Sequence, residues 1–287
     1  MSAAARPNWP QLPQAFFLES EGGQRFCLYH APQGGAPRGR VLYLHPFAEE
    51  LNSTRRVVAR QARALARAGF GVLQIDLAGC GDSAGEFADA TWAAWLQDAL
   101  AARHWLADHA GGPLWLWGLR AGAVLAAQLA SLLQAQGEEA ANLLLWQPVA
   151  SGRQMLQQFM RLHAASQWLG GGKDELPPAQ ALAQGRAVHI AGYCLSPALA
   201  QGLAEAQLPV PTAVLPPLPA PRLLWLELSS APTPTLSPAA DKQLNAWRTA
   251  GWRVEAQAVA GPAFWQSVGT DEAPALIEST LAALARP

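Results

Sequence analysis

The chain has 287 residues, of which 51% are hydrophobic and only 14% charged. That is enough apolar side chain to bury a sizeable core in one large or two small domains, and too much for a disordered chain. The 20 basic and 21 acidic side chains leave a formal charge of −1, which gives no electrostatic footprint for nucleic acid or for an anionic membrane surface.

Taken in order, the residues alternate strand and helix patterns. Ala15–Glu19 and Arg25–His30, separated by Glu21-Gly22-Gly23, read as a hairpin. Arg40–Leu44 is a short apolar strand. Thr54 to Ala68 carries Val57, Val58, Ala62, Leu65 and Ala66 at helical spacing, and Gly69 stops it. Phe70–Ile75 is a second buried strand. Thr91 to His109 is a helix with Trp92, Trp95, Leu96, Leu100 and Trp105 on one face. Pro113–Trp117 is a strand, Leu119 to Gln136 an Ala/Leu helix, and Ala141–Trp146 a fourth strand. From 150 to 219 the rhythm breaks into an amphipathic helix (152–169), a GGGKDELPP turn, a mixed stretch and a proline-rich segment. It resumes with Arg222–Leu228, a helix near Pro238–Ala250, Trp252–Val259 and a final helix Pro274–Ala285.

Continuous apolar strands between helices predict an α/β fold: a mostly parallel, doubly wound sheet with an antiparallel N-terminal edge. Residues 1–149 and 220–287 form the expected core, and 150–219 an inserted cap or lid. There is no run of about 18 apolar residues, so no membrane span is expected. The N-terminal stretch, with its prolines and no continuous apolar run, does not read as a signal peptide. Three widely spaced cysteines, Cys27, Cys80 and Cys194, exclude a disulfide framework and C-x-x-C zinc patterns. No metal and no cofactor is expected.

Parallel sheets place their chemistry at the carboxyl ends of strands. Three segments fall there. Leu114–Ala127 (LWLWGLRAGAVLAA) has the strand–turn–helix form of a G-x-S-x-G nucleophile elbow, with glycines at 118 and 122 and Arg120 in the nucleophile's slot. Val41–Arg56 (VLYLHPFAEELNSTRR) occupies the place of a loop that supplies an oxyanion-hole N–H. Leu73–Phe87 carries a glycine-rich loop with Cys80, Asp82 and Ser83.

In order and spacing these segments resemble the α/β-hydrolase superfamily over nearly the whole chain. More closely, the sequence resembles the exosortase A system-associated hydrolase 2 family. The match is carried by Pro46-Phe47-Ala48-Glu49-Glu50 with Asn52, Arg55 and Arg56, and by Gly79-Cys80-Gly81-Asp82-Ser83. Trp117-Gly118-Leu119-Arg120, Leu145-Trp146-Gln147-Pro148, Gly152-Arg153, Gly192-Tyr193 and Phe264-Trp265 add to it. The resemblance implies an α/β-hydrolase fold with a cap. It also implies a cytoplasmic bacterial protein linked to exopolysaccharide production and PEP-CTERM protein sorting, with "hydrolase" describing the fold.

Triad order in α/β-hydrolases is nucleophile, acid, histidine. The six histidines are 30, 45, 104, 109, 163 and 189, so none follows the last strand, where Trp265 stands. The loop after Arg222–Leu228 reads SSAPTPTLSP, without a carboxylate; Glu227 lies within the strand. In subtilisin, losing the nucleophile or base alone costs about a million-fold in rate, so three altered positions argue against ordinary serine-hydrolase catalysis.

Arg120 would cap a helix N-terminus, where N–H groups and the dipole already favour an anion. A guanidinium there fits a small anionic or acyl-type ligand, or an internal pair with Glu49 or Glu50. Phe47, Ala121, Trp146, Gln147, Arg153 and Trp265 are expected around the same cleft. Arg153 and Arg161, eight apart, share a helix face that would either make the cleft basic or lie in solvent. Cys80 or Ser83 with His45 forms a rearranged nucleophile candidate, set against a loop shaped by its glycines with Ser83 as a cap. Asp76 is expected to bond loop amides. Three functions remain open: a non-catalytic ligand- or partner-binding homologue, an ester or thioester hydrolase or acyl transferase on rearranged residues, and a scaffolding subunit. For the last, the tryptophan-rich, weakly charged composition fits an apolar, homodimer-forming surface.

Overall fold

A computed structural model describes residues 12–170 (with side chains through 162), 176–210, 219–267 and 271–286. The GGGKDELPP turn and the proline-rich stretch lie largely outside the described residues, as does the side chain of His163.

Strands β1 (Gln14–Ser20) and β2 (Gly23–His30) form the hairpin. They are followed by β3 (Gly39–Leu44), α1 (Glu49–Arg67), β4 (Phe70–Ile75), α2 (Trp92–His109), β5 (Leu114–Leu119), α3 (Ala121–Ala135) and β6 (Asn142–Trp146). Next come α4 (Gly152–Gly170), α5 (Pro178–Ala183), a small hairpin β7 (Val188–Ile190) and β8 (Tyr193–Leu195), and α6 (Pro197–Glu205). The chain ends with β9 (Arg222–Ser229), α7 (Pro238–Thr249), β10 (Arg253–Ala260) and α8 (Pro274–Ala285).

Eight strands make one sheet in the order β1-β2-β4-β3-β5-β6-β9-β10. β1 and β2 pair antiparallel, as do β2 and β4, and the other neighbours pair parallel. This is the α/β-hydrolase fold. Period-2 alternation sends Leu42, Leu116, Leu145 and Trp225 to one face, beneath α2, α3 and α7. It sends Tyr43, Trp117, Trp146 and Leu226 to the other, beneath α1 and α8. Both faces are therefore covered, which is why the central strands carry no polar alternation. Among the described residues no helix is long and apolar enough to cross a membrane.

Two helix starts differ from the sequence reading. α1 begins at Glu49 rather than Thr54, and α3 begins at Ala121 because Leu119 still belongs to β5. Both shifts lie at the carboxyl edge of the sheet, where a turn packed by its neighbours overrides local propensity.

The antiparallel edge is tied to α2 by a dry ion pair. Asp98 Oδ1 accepts from Arg25 Nε and the Ser20 hydroxyl, each at 2.7 Å, and Asp98 Oδ2 accepts from the Ala78 N–H at 2.8 Å. The Arg25 and Asp98 side chains are 2% and 1% exposed. Asp98→Ala would leave Arg25 charged and unpaired in the core. Urea denaturation should show a loss of about 3–5 kcal/mol; a loss below about 1 kcal/mol would remove this anchoring role.

Candidate functional site

Close packing makes the turn after β5 sharp. A Cβ on Gly118 would sit 2.4 Å from Ala123 Cα, and one on Gly122 would sit 2.2 Å from the Leu44 carbonyl oxygen. Only glycine fits either place. Between them Arg120 adopts φ 56° and ψ −117°, a strained region for any L side chain. The elbow therefore holds Arg120 at the carboxyl edge of the sheet, at the N-cap of α3.

Three elements meet its guanidinium. Glu50 Oε1, from α1, accepts from Arg120 Nε and lies 3.1 Å from Nη2. Gln158 Oε1, from α4, accepts from Nη2 at 2.6 Å, and Met155 Sδ lies 3.9 Å from Nη2. Trp265, in the turn after β10, places its ring centroid 5.3 Å from the guanidinium carbon, a cation–π contact. The Arg120 and Glu50 side chains are only 9% and 6% exposed.

Glu50 reaches Arg120 because α1 starts with an elbow of its own. Ala48, after β3, has φ 49° and ψ −122°, almost the angles of Arg120. Neighbouring strands β3 and β5 thus end in matching strained turns, each followed directly by a helix. The first turn of α1 presents Glu49 and Glu50 there. The segment read as a loop is helix, and of the two glutamates it is Glu50 that pairs with Arg120.

The pair is lopsided. Both Arg120 contacts fall on Glu50 Oε1, while Glu50 Oε2 is buried without a hydrogen-bond partner, as is Glu49 Oε2. Burial pushes the Glu50 carboxyl up to about 7, against the pull of Arg120 and with a further push from Glu49. Burial raises Glu49 too. Two carboxylates face one guanidinium in a dry setting, which favours a proton on one of them.

Other sequence candidates lie elsewhere. Phe47 is fully buried among Phe87, Trp95 and Phe159, with ring centroids 5.6, 5.9 and 5.1 Å away. It is core, sealed by the Phe159 ring of α4, rather than a pocket wall. Ala121 is buried as the first residue of α3. Trp146 does not face the cleft. It points to the α1/α8 face, donating from Nε1 to Thr280 Oγ1 at 3.0 Å, because its strand position sets it there. Gln147 (φ 43°) braces β9, accepting from the Leu228 N–H at 2.7 Å. Arg153 and Arg161 are exposed. They share the outward face of α4, while Met155 and Gln158 occupy the inward one, so the arginines do not join Arg120.

The rearranged nucleophile is not assembled. Burial raises the Cys80 thiol strongly, reinforced by Asp76 and Asp98. Ser83 Oγ donates to the Asp76 carbonyl and accepts from the Phe26 N–H at 2.8 Å, tying the glycine loop to β2. His45 donates from Nδ1 to the Pro46 carbonyl at 2.7 Å and accepts at Nε2 from the Leu77 N–H at 3.2 Å. Both ring nitrogens are spent on backbone, and burial lowers its pKa. Asp76 Oδ2 accepts from the Asp82 N–H and from Arg55, each at 3.2 Å. Glu227 holds Trp225 Nε1 at 2.9 Å and the Ser237 N–H at 2.7 Å, where α7 begins. Among the described residues no group of three His, Cys, Asp or Glu is arranged to hold a metal ion.

Sequence reasoning missed Gln158 and Met155. The signal was present: Met155, Leu156 and Phe159 mark the apolar stripe of α4, and Gln158 falls beside it. Acidic residues at 49 and 50 were likewise a first-turn signal for α1.

Comparison with known proteins agrees with the fold. Residues 35–186 match the family described as Serine aminopeptidase, S33. No curated protein matches the sequence. Est1E from Butyrivibrio proteoclasticus, solved with ferulic acid bound, superposes with a TM-score of 0.67 at 14% identity, covering 94% of this chain and 96% of that one. A hyperthermophilic esterase from the archaeon Pyrobaculum calidifontis gives 0.59 at 18%, covering 95% and 84%. XC6422 from Xanthomonas campestris, a serine hydrolase without a lid, gives 0.52 at 16%, covering 97% and 94%. At such identities the likeness speaks for fold alone.

Two outcomes follow from this geometry. Glu50 moves from its ordinary 4.5 to about 7 on folding, so the folded state holds the extra proton between those values. Its contribution to stability is present at low pH and is lost as pH rises through about 7. Glu49, Arg120 and Tyr43 are the charged or titratable groups coupled to it. His30 and His45, lowered by burial, act in the opposite direction below their ordinary 6.5. The readout is therefore the difference between variants. Glu50→Gln should gain stability relative to wild type, on the order of 3 kcal/mol, between about pH 5 and 8; a flat difference would contradict the buried-carboxyl account. In the native state, Cys80 and Cys27, both buried, should react with a thiol reagent only on unfolding, after the half-buried Cys194; fast native labelling at Cys80 would revive it as a nucleophile.

Proposed function

The chain belongs to the Serine aminopeptidase S33 family of α/β-hydrolases, and from that premise we propose that it binds a small anionic or acyl-type ligand at Arg120 instead of running a Ser-His-acid triad. The observation that carries this reading is the Arg120–Glu50 pair. A guanidinium stands on the elbow where the family's chemistry calls for a nucleophile, and a half-satisfied carboxylate occupies the anion position beside it. An external carboxylate or phosphate would take the place of Glu50 Oε1. Arg120 would offer it a forked donor, and the α3 N-terminus a favourable dipole. Trp265 fills the place of the triad histidine and stacks on the cation.

Glu50 and the incoming anion compete for one cation. Protonating Glu50 frees Arg120, so binding should tighten as pH falls through about 7. The alternative, an ester or thioester hydrolase or acyl transferase using Cys80, Ser83 or His45, has less support, since backbone groups already occupy Ser83 and His45 and the Cys80 thiol is buried. A scaffolding role rests on composition alone. The motif likeness to the exosortase A system-associated hydrolase 2 family supports a place for this binding role in the bacterial cytoplasm, alongside exopolysaccharide production and PEP-CTERM sorting.

The test pairs two assays. Calorimetric titration with octanoate and with inorganic phosphate should show binding that weakens at least about tenfold in Arg120→Ala, with the variant still folded by circular dichroism. A panel of short- to long-chain esters and thioesters should be hydrolysed no faster than in buffer. Turnover lost in Cys80→Ala or Ser83→Ala would replace this reading with the rearranged hydrolase.

A further inference from the structure

A concave, strongly charged place lies at the opposite end of the sheet from Arg120. A groove of about 780 Å³ opens at the amino-terminal ends of β5, β6, β9 and β10, beside the end of α8. Its charged lining is Arg38, Arg222, Arg253 and Arg286 against one carboxylate, Glu139. The arginines come from four separate segments of a chain whose overall charge is −1, so the fold gathers the positive charge there.

The nearby carboxylates are already engaged. Glu139 Oε1 is held by Arg40 and by Arg103, the latter at 3.2 Å. Glu255 spans Arg222 at 2.7 Å and Arg286 at 3.0 Å. The four lining arginines outnumber Glu139 and the neighbouring Glu255, which leaves the groove net positive. Two of the arginines also lie over aromatic rings. Arg38 lies over Phe70, its carbon 5.3 Å from the ring centroid, and its N–H groups reach the Ala68 and Leu284 carbonyls at 3.5 and 3.3 Å. Those are long contacts that an oxyanion would replace. Arg222 lies over Trp115 at 5.4 Å and donates to the Arg286 and Ala283 carbonyls at 2.7 and 2.9 Å, so its position is fixed in advance.

We propose that this groove is a second anion site, taking a small organic molecule with a multiply charged oxyanion group, a phosphate ester or a polycarboxylate. The volume falls within the roughly 300–1,000 Å³ typical of small-molecule pockets. A concave positive surface with low-dielectric walls focuses the field on such a ligand. Guanidinium forks match carboxylate and phosphate oxygens, and the prolines at 113, 219 and 221 give its body an apolar wall. The site is independent of Arg120 and stands whether or not the elbow binds anything.

The test is calorimetric titration of pyrophosphate, and separately of citrate, into the full chain at about 0.15 M salt, where diffuse surface attraction is screened. Wild type should bind at least one of them saturably, and a preference between them assigns phosphate or carboxylate chemistry. Arg38 and Arg253 are exposed, so Arg38→Ala/Arg253→Ala should stay folded and weaken binding at least about tenfold. In Arg120→Ala, which removes any binding at the elbow, a saturable site should remain. Three results would overturn the proposal: no saturable binding of either probe, equal binding by the double variant, or loss of all saturable binding in Arg120→Ala.

Discussion

A guanidinium set on the turn between a buried strand and a buried helix needs a counter-charge, and much of the carboxyl edge of this sheet is arranged to provide one. Gly118 and Gly122 force the turn that puts Arg120 there. Ala48 accepts a strained backbone so that α1 starts early enough to bring Glu50 alongside. α4 contributes Gln158 and Met155 from above, and Trp265 closes the flank. Removing either member of such a pair leaves a buried charge, so the pair constrains its neighbours whatever its net contribution to stability.

The same arrangement is also unfinished. One carboxylate oxygen of Glu50 and one of Glu49 are buried without partners, and an unmade bond to a buried polar group carries a desolvation cost. On the binding proposal Glu50 gives way to an incoming anion, and burial, which raises its carboxyl, disfavours the charged form that holds Arg120. In this α/β-hydrolase scaffold the strained turn after β5 carries Arg120.

The fold was legible because its signals are long-range regularities: apolar strands between helices, and glycines at 118 and 122 around one turn. Arg120 was legible for the same reason, as a residue in a slot defined by its neighbours. What the sequence did not disclose was orientation at strand ends. Trp146 looked like a cleft residue by position, yet strand alternation turns it toward Thr280 on the far face. Arg153 and Arg161 share a helix face as their spacing implied, but only packing decided that it is the outer one. The choice between Glu49 and Glu50 depended on where α1 begins, and a residue with positive φ at Ala48 leaves no trace in composition. His45 and Ser83 were plausible reactive groups until backbone atoms were seen to occupy them.

The central claim is that an external anion exchanges with Glu50 on Arg120, and exchange of that kind takes up a proton. The most direct measurement is the number of protons absorbed per octanoate bound near pH 7, obtained by calorimetry in buffers of different ionisation enthalpy. The account predicts net uptake, up to about half a proton per ligand, in wild type and none in Glu50→Gln. Binding without proton uptake in wild type, or equal uptake in Glu50→Gln, would contradict it.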